Sequence, residues 1–190
     1  WKMSNSEKYY NAAKKALIYD RSLFSIKHNT WIRKMVGNTS TVAIDTSWAH
    51  GSAGIGLSRL LISDYFCDDL INQEIDIAIN HIKKYSFNKN HCINDGIFGN
   101  LEVLYALSKK LKKASLQTNV LKYLNQMIVQ KKESENWLCG KNDNSVLLSG
   151  MFLGLSGIGY NLLRFADWVN VPSILALESA VFNKSYNPLH

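Results

Sequence analysis

Apolar residues recur every three or four positions over two long parts of the chain, with polar residues between them. The two apolar stripes are Ile71, Ile75, Ala78, Ile79 and Ile82, and Leu116, Val120, Tyr123, Leu124 and Met127. This spacing is typical of a helix that lies with one face on a core. The chain has only two prolines, so little interrupts such helices. The pattern predicts an all-helical protein.

Three other segments begin with Gly-x-x-Gly and continue into an apolar stretch. The glycine pairs are Gly51/Gly54, Gly96/Gly99 and Gly154/Gly157, so the first glycines are 45 and 58 residues apart. A repeat of this length predicts an array or toroid of helix hairpins. We expect the glycines to allow positive φ angles and close backbone packing at the starts of inner helices. We also expect free backbone N–H groups there to point toward a common centre.

The composition limits the class of protein. With 190 residues and 46% hydrophobic content, the chain can form one substantial core or part of a larger one. No apolar run approaches the ~20 residues of a membrane span, and the first ten residues, "WKMSNSEKYY", contain no apolar segment typical of a signal peptide. Three cysteines (Cys67, Cys92 and Cys139) are too few for a disulfide framework and indicate a reducing, cytoplasmic location. We expect Cys67 and Cys139 to be small buried apolar residues.

The net charge of +7 raises the question of an anionic partner. Eight lysines occur as short runs at the ends of predicted helices (Lys83-Lys84, Lys109-Lys110, Lys112-Lys113 and Lys131-Lys132), where we expect them to complement the helix dipole and remain solvated. An acidic peptide is the main functional alternative. No platform of interleaved aromatic and basic residues indicates nucleic acid.

Several motifs together resemble one known family. The stretches are "SWAHGSAGIGLSRL", "NDGIFGNLEVL", "NWLCG" and "GMFLGLSGIGYNLLRFADWVNVPSILALE". They resemble the C-terminal cyclase (LanC-like) domain of class II lanthipeptide synthetases, the LanM type, from about Ala12 to Glu178. The resemblance implies an α/α toroid of seven helix hairpins, of which residues 1–178 would form about the last three. Residues 179–190 would be a tail of unknown role.

The resemblance also implies an activity and partners. In this family, a dehydratase domain removes water from Ser and Thr of a precursor peptide, and the cyclase adds Cys thiols to the resulting dehydroalanine or dehydrobutyrine. Family zinc binds the thiol. The expected partner is therefore a precursor peptide, with an acidic leader as one form. The chain starts at Trp1. We expect either a longer protein with upstream repeats and a dehydratase domain, or completion of the toroid by another copy or chain.

The residues at the family's zinc-ligand positions differ from the family pattern of two Cys and one His. The first Cys position holds Ala49, the second holds Asn94, and the His position holds Asp95. Ala offers no lone pair, an Asn carbonyl is a weak ligand, and one carboxylate cannot form a tight zinc site. We therefore expect the zinc site to be lost and predict no cofactor. The weak alternative is a relocated site that uses His91 and Cys92 with His50 and Asp95.

His50 keeps its family position beside the missing ligand. Its imidazole could assist proton transfer near neutral pH, or could simply form a hydrogen bond at a helix start. Whether the chain is an enzyme therefore stays open. The readings are an impaired cyclase domain that binds peptide or supports its neighbours, an active cyclase with atypical ligands or no metal, and another α/α-toroid enzyme acting on carbohydrates or isoprenoids. Paired carboxylates at the helix starts would support the third reading, and the sequence has none.

Overall fold

The computed structural model describes residues 5–34, 42–86, 90–134, 137–140 and 148–179. Their elements, in chain order, are α1 (Glu7–Ser22), β1 (Phe24–Ser25), β2 (Thr30–Lys34), β3 (Val42–Ile44), α2 (Ser52–Ile62), α3 (Leu70–Tyr85), α4 (Ile97–Lys110), α5 (Ala114–Ser134) and α6 (Leu155–Ala166). The predicted all-α fold is confirmed, whereas the count of seven hairpins stays a prediction. Most of the tail, residues 180–190, lies outside the described residues.

The helices form an inner and an outer layer. The helices that follow the Gly-x-x-Gly segments pack in sequence, α2 on α4 and α4 on α6. The outer helix α3 packs on α2, and the outer helix α5 packs on α4. Both predicted stripes face the core. All five residues of the α3 stripe are buried, and the α5 stripe is buried except for Tyr123, which is half-buried. The alternation of inner and outer helices agrees with a helix-hairpin array.

A small antiparallel sheet, which the sequence did not predict, lies between α1 and α2. Its order is β1-β2-β3, with Phe24 opposite Trp31 and Ile32 opposite Ile44. The strands are two, five and three residues long. Such short strands show too little alternation to be distinguished from loops by pattern. The sheet leads the chain directly into the first Gly-x-x-Gly segment.

Three loops of the same design precede the inner helices, at residues 45–51, 90–96 and 148–154. In each, the first N–H of the helix donates to the carbonyl seven residues earlier. The bonds are Ser52 N to Asp45 O (3.1 Å), Ile97 N to Asn90 O (2.8 Å) and Leu155 N to Leu148 O (2.8 Å). At α2, the N–H groups of Ala53 and Gly54 also donate to loop carbonyls. The expectation of free N–H groups is therefore wrong for the first N–H of each of these helices, because the loop folds back and binds it.

The glycines of these loops are required for close backbone approach, and their φ angles are not positive. The first glycines have φ of −137°, −109° and −135°, which other residues also adopt. The expectation of positive φ was wrong. A Cβ at Gly51 would overlap the carbonyl oxygen of Asp45, and a Cβ at Gly99 would overlap that of Ile93. A carbonyl lies against each glycine because the loop turns back across the helix start.

A buried ion network joins α1, α2 and α3. The Arg59 side chain is almost fully buried, and its Nε donates to Glu74 at 2.8 Å. Arg21 of α1 donates to the same carboxylate at 2.6 Å and to Asp68 at 2.6 Å. Arg59 also reaches Asp20 at 3.1 Å. Removal of one partner would leave a buried charge unpaired, which is strongly destabilising.

A second polar network attaches residues 171–178 to the inner helices. Glu102 of α4 is buried and accepts hydrogen bonds from Asn161 and Ser173, both at 2.5 Å. Arg164 of α6 lies 3.0 Å from Glu102 and 3.3 Å from Glu178. Burial raises the pKa of Glu102, and the hydrogen bond from Ser173, the charge of Arg164 and the hydrogen bond from Asn161 oppose that rise. The family-like end of the chain is thus part of the core.

The three cysteines are free thiols. Cys139 is buried as expected, at 2% exposure, whereas Cys67 is exposed. The expectation for Cys67 was wrong because α2 ends at Ile62 and the polar segment after it runs along the surface. Among the described residues, no helix combines the length and apolar character needed to cross a bilayer.

Two glycines of α6 provide a matched test of the close-approach argument. A Cβ at Gly157 would overlap the Met151 carbonyl, whereas a Cβ at Gly159 would meet no atom within 4 Å. Gly157→Ala should lower the free energy of unfolding by about 1–3 kcal/mol, the usual cost of overpacking. Gly159→Ala should raise it by about 0.5–1 kcal/mol, because Ala favours the helix. Urea unfolding of both variants measures the difference in stability. Equal effects of the two substitutions would contradict a specific need for glycine at position 157.

Candidate functional site

Backbone hydrogen bonds connect the three loops at one equivalent position. Ala49, Asn94 and Phe152 are each the fifth residue of their loop. Ala49 N donates to Asn94 O at 3.2 Å, and Asn94 N donates to Phe152 O at 3.0 Å. Trp48 stacks on Phe152 across the same junction, with ring centroids 5.9 Å apart. The structure therefore brings two of the three family ligand positions, Ala49 and Asn94, into direct contact.

Asp95, the third family position, binds within its own loop. The thiol of Cys92 donates to Asp95 Oδ1 at 2.7 Å, and Asn90 Nδ2 lies 3.4 Å from the same oxygen. Burial first, and then the contact with Asp95, raises the pKa of Cys92 to about 12. The Cys92 side chain is therefore a protonated thiol at neutral pH, whereas metals bind the thiolate.

His91 is a buried residue of the second loop with a structural hydrogen bond. Its Nδ1 accepts from Leu138 N at 2.9 Å, and its ring meets Trp137 edge-on at 5.3 Å. Burial first, and then the charge of Lys131, lowers the pKa of His91 to about 4. Leu138 N thus uses the lone pair with which Nδ1 could bind a metal. Throughout the described ranges, no three His, Cys, Asp or Glu side chains lie close enough to hold a metal ion.

His50 is exposed on the rim of a cleft of about 400 Å³ beside the first loop. The lining includes Trp31, Arg33, Trp48 and Ala49. Trp31 is 6% exposed, and its indole Nε1 has no hydrogen-bond partner among the described residues. The cleft therefore combines apolar walls with two charged side chains, Arg33 and Asp20.

A buried Ser–His pair, which sequence reasoning missed, lies on the other side of α2. Ser52 Oγ lies 2.6 Å from His81 Nδ1 and 3.0 Å from Thr30 Oγ1. A Ser–His pair can serve as an activated nucleophile. Here Ser52 is fully buried, so the chain of three groups connects β2, α2 and α3 instead. Ser52 and His81 are 29 residues apart, and no motif spacing indicates their contact.

The fold and the loops agree with a comparison of the sequence with known families. The sequence model of the family described as lanthionine synthetase C-like protein matches residues 1–176. The chain therefore belongs to the lanthionine synthetase C-like family, which supports a cyclase-like domain with a peptide substrate. A search of the curated proteins found no match.

The lowered pKa of His91 predicts a specific pH dependence of stability. The folded value of about 4 lies below the ordinary value of 6.5, so the unfolded chain binds this proton first as the pH falls. The contribution of neutral His91 to the free energy of unfolding is complete above about pH 6.5 and is lost as the pH falls toward 4. The loss is at most about 3 kcal/mol, at 1.36 kcal/mol per pKa unit.

His91→Asn is the matched variant, because the Asn side-chain oxygen can accept the Leu138 bond without titrating. The free energy of unfolding, measured by urea at half-unit steps from pH 7 to 4, should fall more steeply for the wild type than for the variant. If the free energies of unfolding of wild type and variant fall in parallel over this pH range, the loss of stability does not come from protonation of His91.

Proposed function

We propose that this chain is the cyclase-like domain of a class II lanthipeptide synthetase that has lost its zinc site and binds a precursor peptide without metal. The observation that carries the proposal is the contact between Ala49 and Asn94. The backbone bond brings together two positions that the resemblance assigns to zinc ligands, and a methyl group and an amide occupy these positions. This contact supports a family-like loop arrangement without its zinc ligands.

The side chains at this junction do not fit zinc. Ala49 has no donor atom, Asn94 offers a weak amide oxygen, and Asp95 is already bonded to the Cys92 thiol. Tight zinc sites gain roughly 10–16 kcal/mol from several good ligands together. Because one bonded carboxylate cannot supply this, no chemical step is assigned to a metal.

Peptide binding is supported by the cleft beside His50. Its volume of about 400 Å³ suits a few side chains, and Trp48 stands at its wall, stacked on Phe152. The rings of Trp31 and Trp48 line the cleft and offer apolar area to the side chains of a peptide. A second candidate function is a metal-free cyclase that aligns thiol and dehydro residue, favoured by the exposed imidazole of His50.

Metal analysis of the purified chain tests the loss of zinc. We expect less than about 0.1 zinc per chain after exposure to excess zinc and gel filtration, since the donor set is too poor. The triple substitution Ala49→Cys, Asn94→Cys and Asp95→His should bind about one zinc, because the backbone already brings the positions together. Stoichiometric zinc in the wild type that is lost on Cys92→Ala would refute the proposal.

Filling the cleft tests peptide binding. Ala49→Phe places a ring in the cleft and should weaken binding of a fluorescein-labelled peptide with one Cys and one dehydroalanine by more than about ten-fold, the effect of roughly 1.4 kcal/mol. The measurement is fluorescence anisotropy. Ala13→Phe, on the exposed face of α1, is the control and should bind as the wild type does.

An equal loss of peptide affinity in both variants, or no peptide binding by the wild type, would contradict the proposal that this cleft is the peptide site. Loss of the free thiol in the same incubation, abolished by His50→Gln, would instead establish the metal-free cyclase.

A further inference from the structure

A second cleft, of about 490 Å³, lies beside the first loop at Thr46 and is lined by basic residues. Lys27 and His28 come from the turn between β1 and β2, and Lys84 and His81 come from the last turns of α3. None of its described lining side chains is acidic. We propose that this basic cleft binds the carboxylates of an acidic segment of the peptide held in the neighbouring cleft, an inference that rests on the proposed function.

The two lysines have no acidic partners within the described part of the chain. Lys110 and Lys113, by contrast, each pair with an aspartate, Asp64 and Asp76, at 2.6 and 2.5 Å. The ammonium of Lys84 lies 5.0 Å from the centre of the Tyr85 ring, a cation–π contact that holds it at the cleft. The positive charge at this cleft is therefore available to a ligand.

The local structure holds these groups in place. In the β1–β2 turn, His28 N and Asn29 N donate to the carbonyls of Ser25 and Ile26, at 3.2 and 3.3 Å. Asn29 has φ of +49°, a left-handed conformation that Asn tolerates better than most residues. The turn therefore has a defined shape, and less ordering entropy is lost when Lys27 contacts a ligand.

On the α3 side, the ring of Tyr85 lies 4.9 Å from that of His81, so one aromatic ring touches both the histidine and Lys84. The buried Ser52 hydroxyl holds His81 Nδ1 at 2.6 Å. These contacts restrict the side chains on this wall before a ligand arrives.

A hydroxyl group lies in the floor of the cleft. Thr46 is 2% exposed and lines the cleft, and its Oγ1 accepts from Asn100 Nδ2 at 3.3 Å. The accepting oxygen keeps its own proton, which it can donate to a carboxylate oxygen. Thr46 lines the same cleft as Lys27 and Lys84, so a hydroxyl donor and two ammonium groups face one cavity. This set suits a carboxylate, because hydrogen bonds to charged groups are the stronger ones.

The two clefts lie close together because the same short segment lines both. Thr46 lines the basic cleft, and Trp48, two residues later, lines the cleft beside His50. Consecutive Cα atoms are about 3.8 Å apart, so these two are at most about 7.6 Å apart. An extended peptide advances about 3.3 Å per residue, and a few residues therefore reach from one cleft to the other. An acidic residue near the Cys or dehydroalanine of a bound peptide can then meet the lysines.

The test compares two labelled peptides that differ only in charge. Both carry one Cys and one dehydroalanine, with three Glu beside them in one peptide and three Gln in the other. The Glu peptide should bind the wild type roughly three- to ten-fold more tightly at 20 mM salt, from two exposed charge pairs, and the advantage should fall at 300 mM salt. Lys27→Gln with Lys84→Gln should remove the advantage.

The matched control is Lys14→Gln with Lys15→Gln, which removes the same charge from the exposed surface of α1 and should keep the advantage. Equal binding of the two peptides, or equal loss in both double variants, would overturn the basic cleft and leave the proposed peptide binding intact. If the wild type binds neither peptide, both proposals fail.

Discussion

Carbonyl oxygens of three seven-residue loops lie against the glycines that begin α2, α4 and α6. A Cβ at any of these six glycines would overlap a carbonyl oxygen of its own loop. The close approach lets each loop turn back and bind the first N–H of its helix, which removes the cost of buried, unpaired groups at the helix start. Because all three loops follow this course, their fifth residues form a row at one end of the inner helices. The position of every candidate site residue depends on this contact.

The row is held by backbone atoms, and this has a consequence for function. The bonds from Ala49 N to Asn94 O and from Asn94 N to Phe152 O use groups that every residue except proline carries. A change of side chain at these positions therefore leaves the loop contacts intact, which is consistent with the proposed loss of the metal site. In the second loop, the thiol of Cys92 and the carboxylate of Asp95 bind each other.

The distribution of charge separates structural groups from candidate binding groups. Inside the protein, Arg59 with Glu74, and Arg164 with Glu102, are paired ions that connect helices. At the basic cleft beside the first loop, by contrast, the ammonium of Lys84 has no acidic partner among the described residues. A buried ion requires a partner inside the protein, whereas a charged group at a cleft is solvated and can bind a ligand. The family assignment and the clefts together favour a peptide as that ligand.

The sequence by itself determined the helices, the two apolar stripes and the three helix starts, because helical periodicity and Gly-x-x-Gly are local patterns. Its motifs also indicated the family that the comparison confirmed. Only the tertiary structure decided the role of the glycines, the small sheet, the exposure of Cys67 and the contacts of Cys92 and His81. A φ angle or a carbonyl approach depends on where the chain returns, and a pair 29 residues apart, such as Ser52 and His81, meets only after α2 and α3 pack. Local sequence spacing carries no information about such long-range contacts, because packing between elements determines them.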